Sequence, residues 1–333
     1  MINFGIVGFG LHAVKRLMPG FATAQNCRVS ALSRRDLGRA HESARQYDIP
    51  LAFDSAEELC ASPQVDAIFV ATPNASHLQD TLLALRYGKP VLCEKPMALN
   101  AAECRQMVEA ARKANVLLGV AQVFRFEDST ARLRERLAQG QIGRPVFARS
   151  EFCFPGAAGH PRTWIDDPSV AGGGPIMDVG VHCVDALRYI LQDEVVRVSA
   201  VASHNHRRVE VSATLTLEFS RGTLGTVLCS FLAEYRTPLE LVGDTGILRA
   251  DDALNVERPI RLEWHEGAVV ETETISNRLA YTRQVEAFAG AIENKAEFPV
   301  PGEEGWQNQE ILDAAYRSIK SGKAENVPAV VNK

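Results

Sequence analysis

The sequence predicts an α/β chain in two parts. An N-terminal doubly wound parallel sheet comes first, followed by an α+β domain built on a large mixed or antiparallel sheet. Three observations carry this. Over the first third of the chain, short apolar runs alternate with helix-favouring stretches, the rhythm of repeated βα units. A glycine-rich turn, Gly8-Phe9-Gly10-Leu11-His12-Ala13, follows the first apolar run directly. After residue 123 the rhythm stops, and Val209–Phe219 alternates apolar and polar residues with period two, the mark of a half-buried strand.

In chain order, Phe4–Val7 is the first strand and Leu11–Gln25 the helix after it, with Pro19-Gly20 expected to kink or shorten it. Arg28–Leu32 is a second strand and Leu37–Tyr47 a polar helix. Val65–Ala71 is almost wholly apolar, as a strand covered on both faces must be. Ser76–Tyr87 reads as a helix, Pro90–Cys93 as a strand, Ala101–Asn115 as a helix capped by Asn100, and Val116–Val123 as the last strand of the series. This sets domains at 1–122 and 123–333, with a last helix at about 303–321 that can pack back on the first.

The turn after the first strand fits G-x-G-x-x-G/A, with Gly8, Gly10 and Ala13 in the small-residue positions. The first glycine permits a tight turn, the second lets a pyrophosphate approach the backbone, and the third small residue lets helix and strand pack. The amides of the next helix then face the phosphates. At the second strand end stand Ser33, Arg34 and Arg35. A hydroxyl followed by two guanidinium groups suits a 2′-phosphate, which favours NADP, while Asp36 just beyond leaves NAD open. Ala71-Thr72-Pro73-Asn74 occupies another strand end, offering side-chain hydrogen bonds from Thr72 and Asn74. His77 beside it is either a cofactor contact or a structural residue at a helix start. Val91–Asn100 places Lys95 where a parallel strand runs out, the side of an open sheet on which ligands bind. Lys95 is either a proton-handling group or one half of an ion pair with Glu94.

The second half begins with Gln122, Phe124 and Arg125 at the hinge, then a charged helix at Glu127–Gly140 and a strand-rich section from Val146. Within it lies AGGGPIMDVGVHCVDALRYI. Ile176, Val179, Cys183, Leu187 and Ile190 make an apolar stripe at helical spacing, and Asp178 and His182 are four apart, stacked on one helix face. Either they are chemical groups or they belong to an ion-paired helix surface. Arg162 and Trp164 in the loop before this helix suit a polyhydroxylated substrate through hydrogen bonds and stacking, with simple packing the alternative for Trp164.

Net charge is −5 and charged residues make up 23% of the chain, too mild for a nucleic-acid or anionic-membrane partner. No apolar run is long enough to span a membrane and the first residues lack a leader pattern. Seven scattered cysteines, none in a C-x-x-C pair, read as reduced thiols in the cytoplasm. No clustered His/Cys spacing points to a metal.

GIVGFGLHA, ATPNASH and CEKP, in that order, make the chain resemble the glucose–fructose oxidoreductase/inositol dehydrogenase (Gfo/Idh/MocA) family. SRRD and RTW are similar to its NADP-linked sugar reductases, the anhydrofructose reductases among them, and to its dihydrodiol dehydrogenases. The resemblance implies a Rossmann domain whose cofactor contacts come from Gly8 through His12, from Ser33, Arg34 and Arg35, from Ala71 through Asn74, and from His77, Glu94, Lys95 and Gln122. It implies a cis peptide at Lys95–Pro96, and Asp178 and His182 meeting Lys95 across an interdomain cleft. Arg162, Trp164, Asp178, His182 and Tyr281 would contact substrate. It also implies a homodimer or homotetramer through the C-terminal sheet. The expected activity is hydride transfer between nicotinamide and a secondary alcohol or carbonyl of a sugar or cyclic polyol. Lys95 and His182 would handle the proton, and Asp178 would orient the imidazole. A trans-dihydrodiol dehydrogenase, an NAD-dependent glycosidase and a cofactor-binding regulatory protein without turnover are the alternatives.

Overall fold

A computed structural model of the chain describes residues 1–156 and 163–330. Two compact units emerge, residues 1–121 with 281–306, and residues 122–280 with the chain from 307 onward. In the first, β1 (Ile2–Val7), β2 (Cys27–Ser33), β3 (Leu51–Phe53), β4 (Ala67–Val70), β5 (Val91–Glu94) and β6 (Leu118–Ala121) form one sheet in the order β3-β2-β1-β4-β5-β6. Every pairing in it is parallel. All residues of β4, β5 and β6 are buried, as a sheet covered on both faces requires. The strand order reverses between β1 and β4, so a ligand crevice is expected outside their carboxyl ends.

The helices of this region are α1 (Met18–Thr23), α2 (Leu37–Gln46), α3 (Ala56–Ala61), α4 (His77–Arg86) and α5 (Ala101–Ala114). The kink expected at Pro19 takes the form of a change in helix type. A π turn, Ala13–Leu17, comes first, and α1 begins with Pro19 in its opening positions. Proline lacks an N–H and crowds the carbonyl one turn back, and a wider turn accommodates both. β3 and α3, too short to show a periodicity, are absent from the sequence reading. Ser55 starts α3 by accepting from the amides of Glu57 and Glu58.

The second unit holds β7 (Pro145–Cys153), β8 (Val195–Ser203), β9 (Ser212–Phe219), β10 (Leu224–Ser230), β11 (Leu239–Gly243), β12 (Ile247–Ala250), β13 (Pro259–Glu266), β14 (Val269–Ser276) and β15 (Glu325–Asn326). Their order is β14-β13-β12-β11-β7-β10-β9-β8-β15, with β7 and β10 the parallel pair in an otherwise antiparallel sheet. In β9 the predicted alternation is plain: Ala213, Leu215, Leu217 and Phe219 are buried, and Thr214 and Thr216 exposed. The remaining helices are α6 (Asp128–Ala138), α7 (Pro168–Ala171), α8 (Val181–Leu191), α9 (Ala280–Asn294) and α10 (Gly302–Ser321). α8 packs on β7 and β10. Almost all of α9 and the segment after it belong to the first unit. Phe288 of α9 lies 6.1 Å from Phe4 of β1 and 5.1 Å from Phe298, while Phe4 also meets Phe21 edge-on at 5.2 Å. Residues 281–306, assigned from sequence to the second part, thus complete the first core. α10 is divided, with Gly302–Trp306 in the first unit and the rest in the second. No described helix is long and apolar enough to cross a membrane.

Candidate active site

The first unit gathers its sequence-predicted residues at the carboxyl ends of β1, β2, β4 and β5. Gly8 adopts φ +86°, and a Cβ there would press on the backbone N and Cα of Thr72 at 2.7 and 2.8 Å. Glycine is what lets the loops after β1 and β4 touch. At Gly10 the nearest atom to such a Cβ is the Gly8 carbonyl oxygen at 3.9 Å, so the surface above it is open to a ligand. Phe9 is buried with its ring 5.6 Å from that of Tyr47, Ala13 is fully buried, and Leu11 is exposed. His12 turns toward β5: its Nε2 lies 2.8 Å from Glu94 Oε1, and its ring meets Tyr281 edge-on at 6.2 Å.

Glu94 is buried at the end of β5, and its Oε2 accepts from the Lys95 amide at 3.2 Å. Burial alone would push this carboxyl up. The charge and hydrogen bond of His12, then Lys95 and His77, outweigh it and hold the group below the usual carboxylate range. Glu94 is therefore ionised, and Nε2 of His12 carries the shared proton. Lys95 follows, joined to Pro96 by the cis bond the resemblance implies. His77 is fully buried, with Nδ1 2.9 Å from the Pro96 carbonyl and Nε2 2.9 Å from that of Thr72. It ties the loops after β4 and β5 together. Burial lowers its pKa despite the two carbonyls, which favour the charged ring. Thr72 Oγ1 donates to Asp80 Oδ2 at 2.7 Å, Asn74 is buried in a 3-10 turn, and Ala71 and Pro73 are half-buried beside it.

At the end of β2, Ser33 is buried and its carbonyl accepts from the Phe9 amide at 3.1 Å. Arg34 donates through Nη1 to Ser43 Oγ of α2 at 2.7 Å, and Arg35 is exposed. Asp36 is engaged as the N-cap of α2, accepting from the Arg39 amide at 2.8 Å.

In the second unit, buried Gln122 follows β6 and leads into a 3-10 turn, Val123–Phe126. Asp178 and His182 do not sit on one uninterrupted α-helix, contrary to the spacing argument. A π turn, Ile176–Gly180, precedes α8, and the Val181 amide bonds to the Ile176 carbonyl five residues back. One extra residue in the turn rotates Asp178 relative to His182, and such turns recur at functional sites. Both residues are buried. The His182 ring packs 4.4 Å from Phe124 and stacks on Phe152 at 6.0 Å. Arg125, next to Phe124, makes a buried ion pair of 2.6 Å with Asp185, one turn along α8 from His182. Asp185 also accepts from Asn308 at 2.7 Å, and Asn308 accepts from Arg188 at 2.6 Å. Sequence spacing signalled His182 but not Phe124, Phe152 or Asp185 around it. Asp185 left a trace as a charge three residues beyond His182 in a mostly apolar helix, and Phe124 entered only as a hinge residue. Trp164 is half-buried in a 3-10 turn, Thr163–Asp166, whereas Arg162 lies outside the described residues. Tyr281 opens α9 in the first unit, beside His12. Among the described residues no cluster of His, Cys, Asp and Glu is arranged to hold a metal.

A parallel sheet ordered β3-β2-β1-β4-β5-β6, with a glycine turn after β1, defines the class of dinucleotide-binding folds. Residues 2–122 match the oxidoreductase family with an NAD-binding Rossmann fold, and residues 130–249 match the GFO/IDH/MocA C-terminal domain. The chain belongs to the Gfo/Idh/MocA oxidoreductase family. It is 30% identical to 1,5-anhydro-D-fructose reductase of Ensifer adhaerens over 98% of this chain and 99% of that one. It is 36% identical to trans-1,2-dihydrobenzene-1,2-diol dehydrogenase of Mus musculus over 74% of this chain and 73% of the relative. Among solved structures, the aldose-aldose oxidoreductase of Caulobacter crescentus complexed with glycerol superposes with a TM-score of 0.91 at 26% identity, covering 98% of this chain and 99% of that one.

Proposed function

We propose that the protein is an NADP-preferring oxidoreductase that interconverts a secondary alcohol and a carbonyl on a sugar or cyclic polyol. The observation that carries this reading is Lys95, set at the carboxyl end of β5 beside an ionised Glu94, on the rim where such sheets bind nucleotides. The relatives named for anhydrofructose and aldose chemistry support the substrate class. A nicotinamide held there would supply the hydride as NADPH or accept it as NADP. The chain's own residues handle the rest. The amides after Gly10 receive the diphosphate. His182 accepts the hydroxyl proton in the oxidation direction, Lys95 steadies the developing alkoxide or relays the proton, and Asp178 orients the imidazole. His77 keeps the two loops of the nucleotide side in register.

NADP preference rests on the end of β2. Arg35 is exposed there with Arg34 beside it, and Asp36, the acid that would take a ribose 2′-hydroxyl, has one carboxylate oxygen engaged in the α2 cap. A trans-dihydrodiol substrate is the second reading, favoured by the 36% identity to the mouse dehydrogenase. The seven buried thiols suit a reducing, cytoplasmic setting. The open face of the second sheet is proposed to meet a second copy.

The test is a panel of aldoses, ketoses, inositols, anhydro sugars and a trans-dihydrodiol, each with NADPH and with NADP. Turnover on the sugars with net cofactor consumption is the expected result. Lys95→Ala and His182→Ala should each lower kcat about 100-fold or more while NADPH still binds, the size of a general acid–base contribution. Near-normal turnover in both variants would sink the mechanism.

A further inference from the structure

The helix that carries Asp178 and His182 begins without a side-chain cap of its own, since Pro175 stands at its start. Its first amides still need acceptors. They are met from a distant part of the chain. Glu210, just before β9, is buried, and its Oε2 accepts from the Gly174 amide at 3.0 Å while its Oε1 accepts from the Ile176 amide at 3.1 Å. Oε1 also accepts from the Tyr316 hydroxyl of α10 at 2.9 Å. Burial, then the charge of Glu210, pushes the Tyr316 phenol well above its usual pKa, so it remains a donor. The glycine run is what admits this cap. A Cβ at Gly174 would collide with the Glu210 carbonyl oxygen, and one at Gly173 with the Tyr316 hydroxyl. The role also explains why the strand predicted from Val209 begins only at Ser212.

Of the two residues Glu210 grips, Gly174 leads into the π turn and Ile176 closes it. The Gly174 carbonyl accepts from the Asp178 amide at 3.0 Å. The Ile176 carbonyl accepts from the Val181 amide, immediately before His182. We propose that Glu210, backed by Tyr316, is a positioning residue that fixes the register of Asp178 and His182 through Gly174 and Ile176. This rests on the proposed role of His182 and deepens it. A carboxylate at a helix start also complements the partial positive charge there.

The test uses the full-length protein. In Glu210→Gln an amide must face at least one N–H it cannot accept from, so the turn should loosen. Hydrogen–deuterium exchange in the segment 174–184 should speed up about 10-fold or more, with exchange in residues 8–14 unchanged. With 1,5-anhydro-D-fructose and NADPH, kcat should fall about 10- to 100-fold, as a small misplacement of a reacting group does, while the Kd for NADPH stays within about twofold. Circular dichroism at 10 °C must show the variant folded. A folded Glu210→Gln with wild-type kcat or wild-type exchange overturns the proposal, as does a kcat loss that only follows the unfolded fraction. If that variant does not fold, Tyr316→Phe decides, with kcat expected about 3- to 10-fold lower and unaltered kcat overturning it. An active His182→Ala, or no wild-type turnover on any of the panel, brings down the functional reading instead, and the exchange measurement still judges the cap.

Discussion

Two buried carboxyls make opposite predictions about acid stability. Glu94 is held below the usual range by His12, Lys95 and His77 against its burial. A depressed folded pKa contributes stability that is present above the unfolded value and lost as pH falls through the folded one. Glu94→Gln should therefore flatten the low-pH loss of Tm, at about 1.4 kcal/mol for each pKa unit of depression. Glu127, at the start of α6, is the reverse case. Burial pushes it well above the usual range, and its hydrogen bonds from Ser129 and Asn277 do not restore it. Its unfolded form ionises first, so stability falls as pH rises from the unfolded value toward the folded one. Glu127→Gln, close in shape to the neutral acid, should raise Tm at pH 8 and leave it near wild type at pH 4. Melting curves of the Glu127 variant from about pH 4 to 8, and of the Glu94 variant from about pH 5 down to about pH 2, check both signs, and equal slopes for mutant and parent would refute them.

At the level of elements, the 3-10 turn after β6, α8 and α10 within the second unit are joined by one buried polar chain, Arg125–Asp185–Asn308–Arg188, with Glu194 pairing Arg188 at its outer end. Removing one partner of a buried pair leaves the other charge uncompensated. Asp185→Ala should cost about 3–5 kcal/mol in denaturant unfolding and release Phe124 from the His182 ring. A change below about 1 kcal/mol would refute it. These ties also mark where reading the sequence ran out. Apolar periodicity foretold β4, β5, β9 and α8, because their burial follows from neighbours close in sequence. It missed β3, only three residues long, and both π turns, since Pro19 opens one and Glu210, far along the chain, braces the other. Motif order picks out Lys95, Asp178 and His182 as the candidate catalytic residues. The capping role of Asp36 was not legible: it depends on where α2 starts, and it engages one of the two carboxylate oxygens. Nor does the pattern of α9 say which core Phe288 enters.

For the whole molecule, the sheet of the second unit has one face under α8 and its π turn, and a second face with a distinct order. Register places Leu224, Phe147, Val242 and Ile247 side by side across β10, β7, β11 and β12. The adjoining row runs Arg149, Glu240, Arg249 and Glu263 across β7, β11, β12 and β13, alternating in sign. Leu224 is 48% exposed, and the other three apolar residues are half-buried. An apolar row beside alternating charges is self-complementary under a two-fold axis, because each guanidinium can meet a carboxylate of the same row on a second copy. Sheets of this kind are stable with one face wet, so the apolar row is the feature that asks for a cover. Light scattering of the wild type should give a multiple of the single-chain mass. Leu224→Arg combined with Ile247→Arg should shift it to the single-chain mass, since it sets cations in the apolar row on both copies. The Kd for NADPH should stay within about twofold, because neither substitution replaces a residue of the first unit, which carries the glycine turn. A wild type that scatters as one chain at all concentrations, or a double variant that keeps its mass, would rule this face out as the contact.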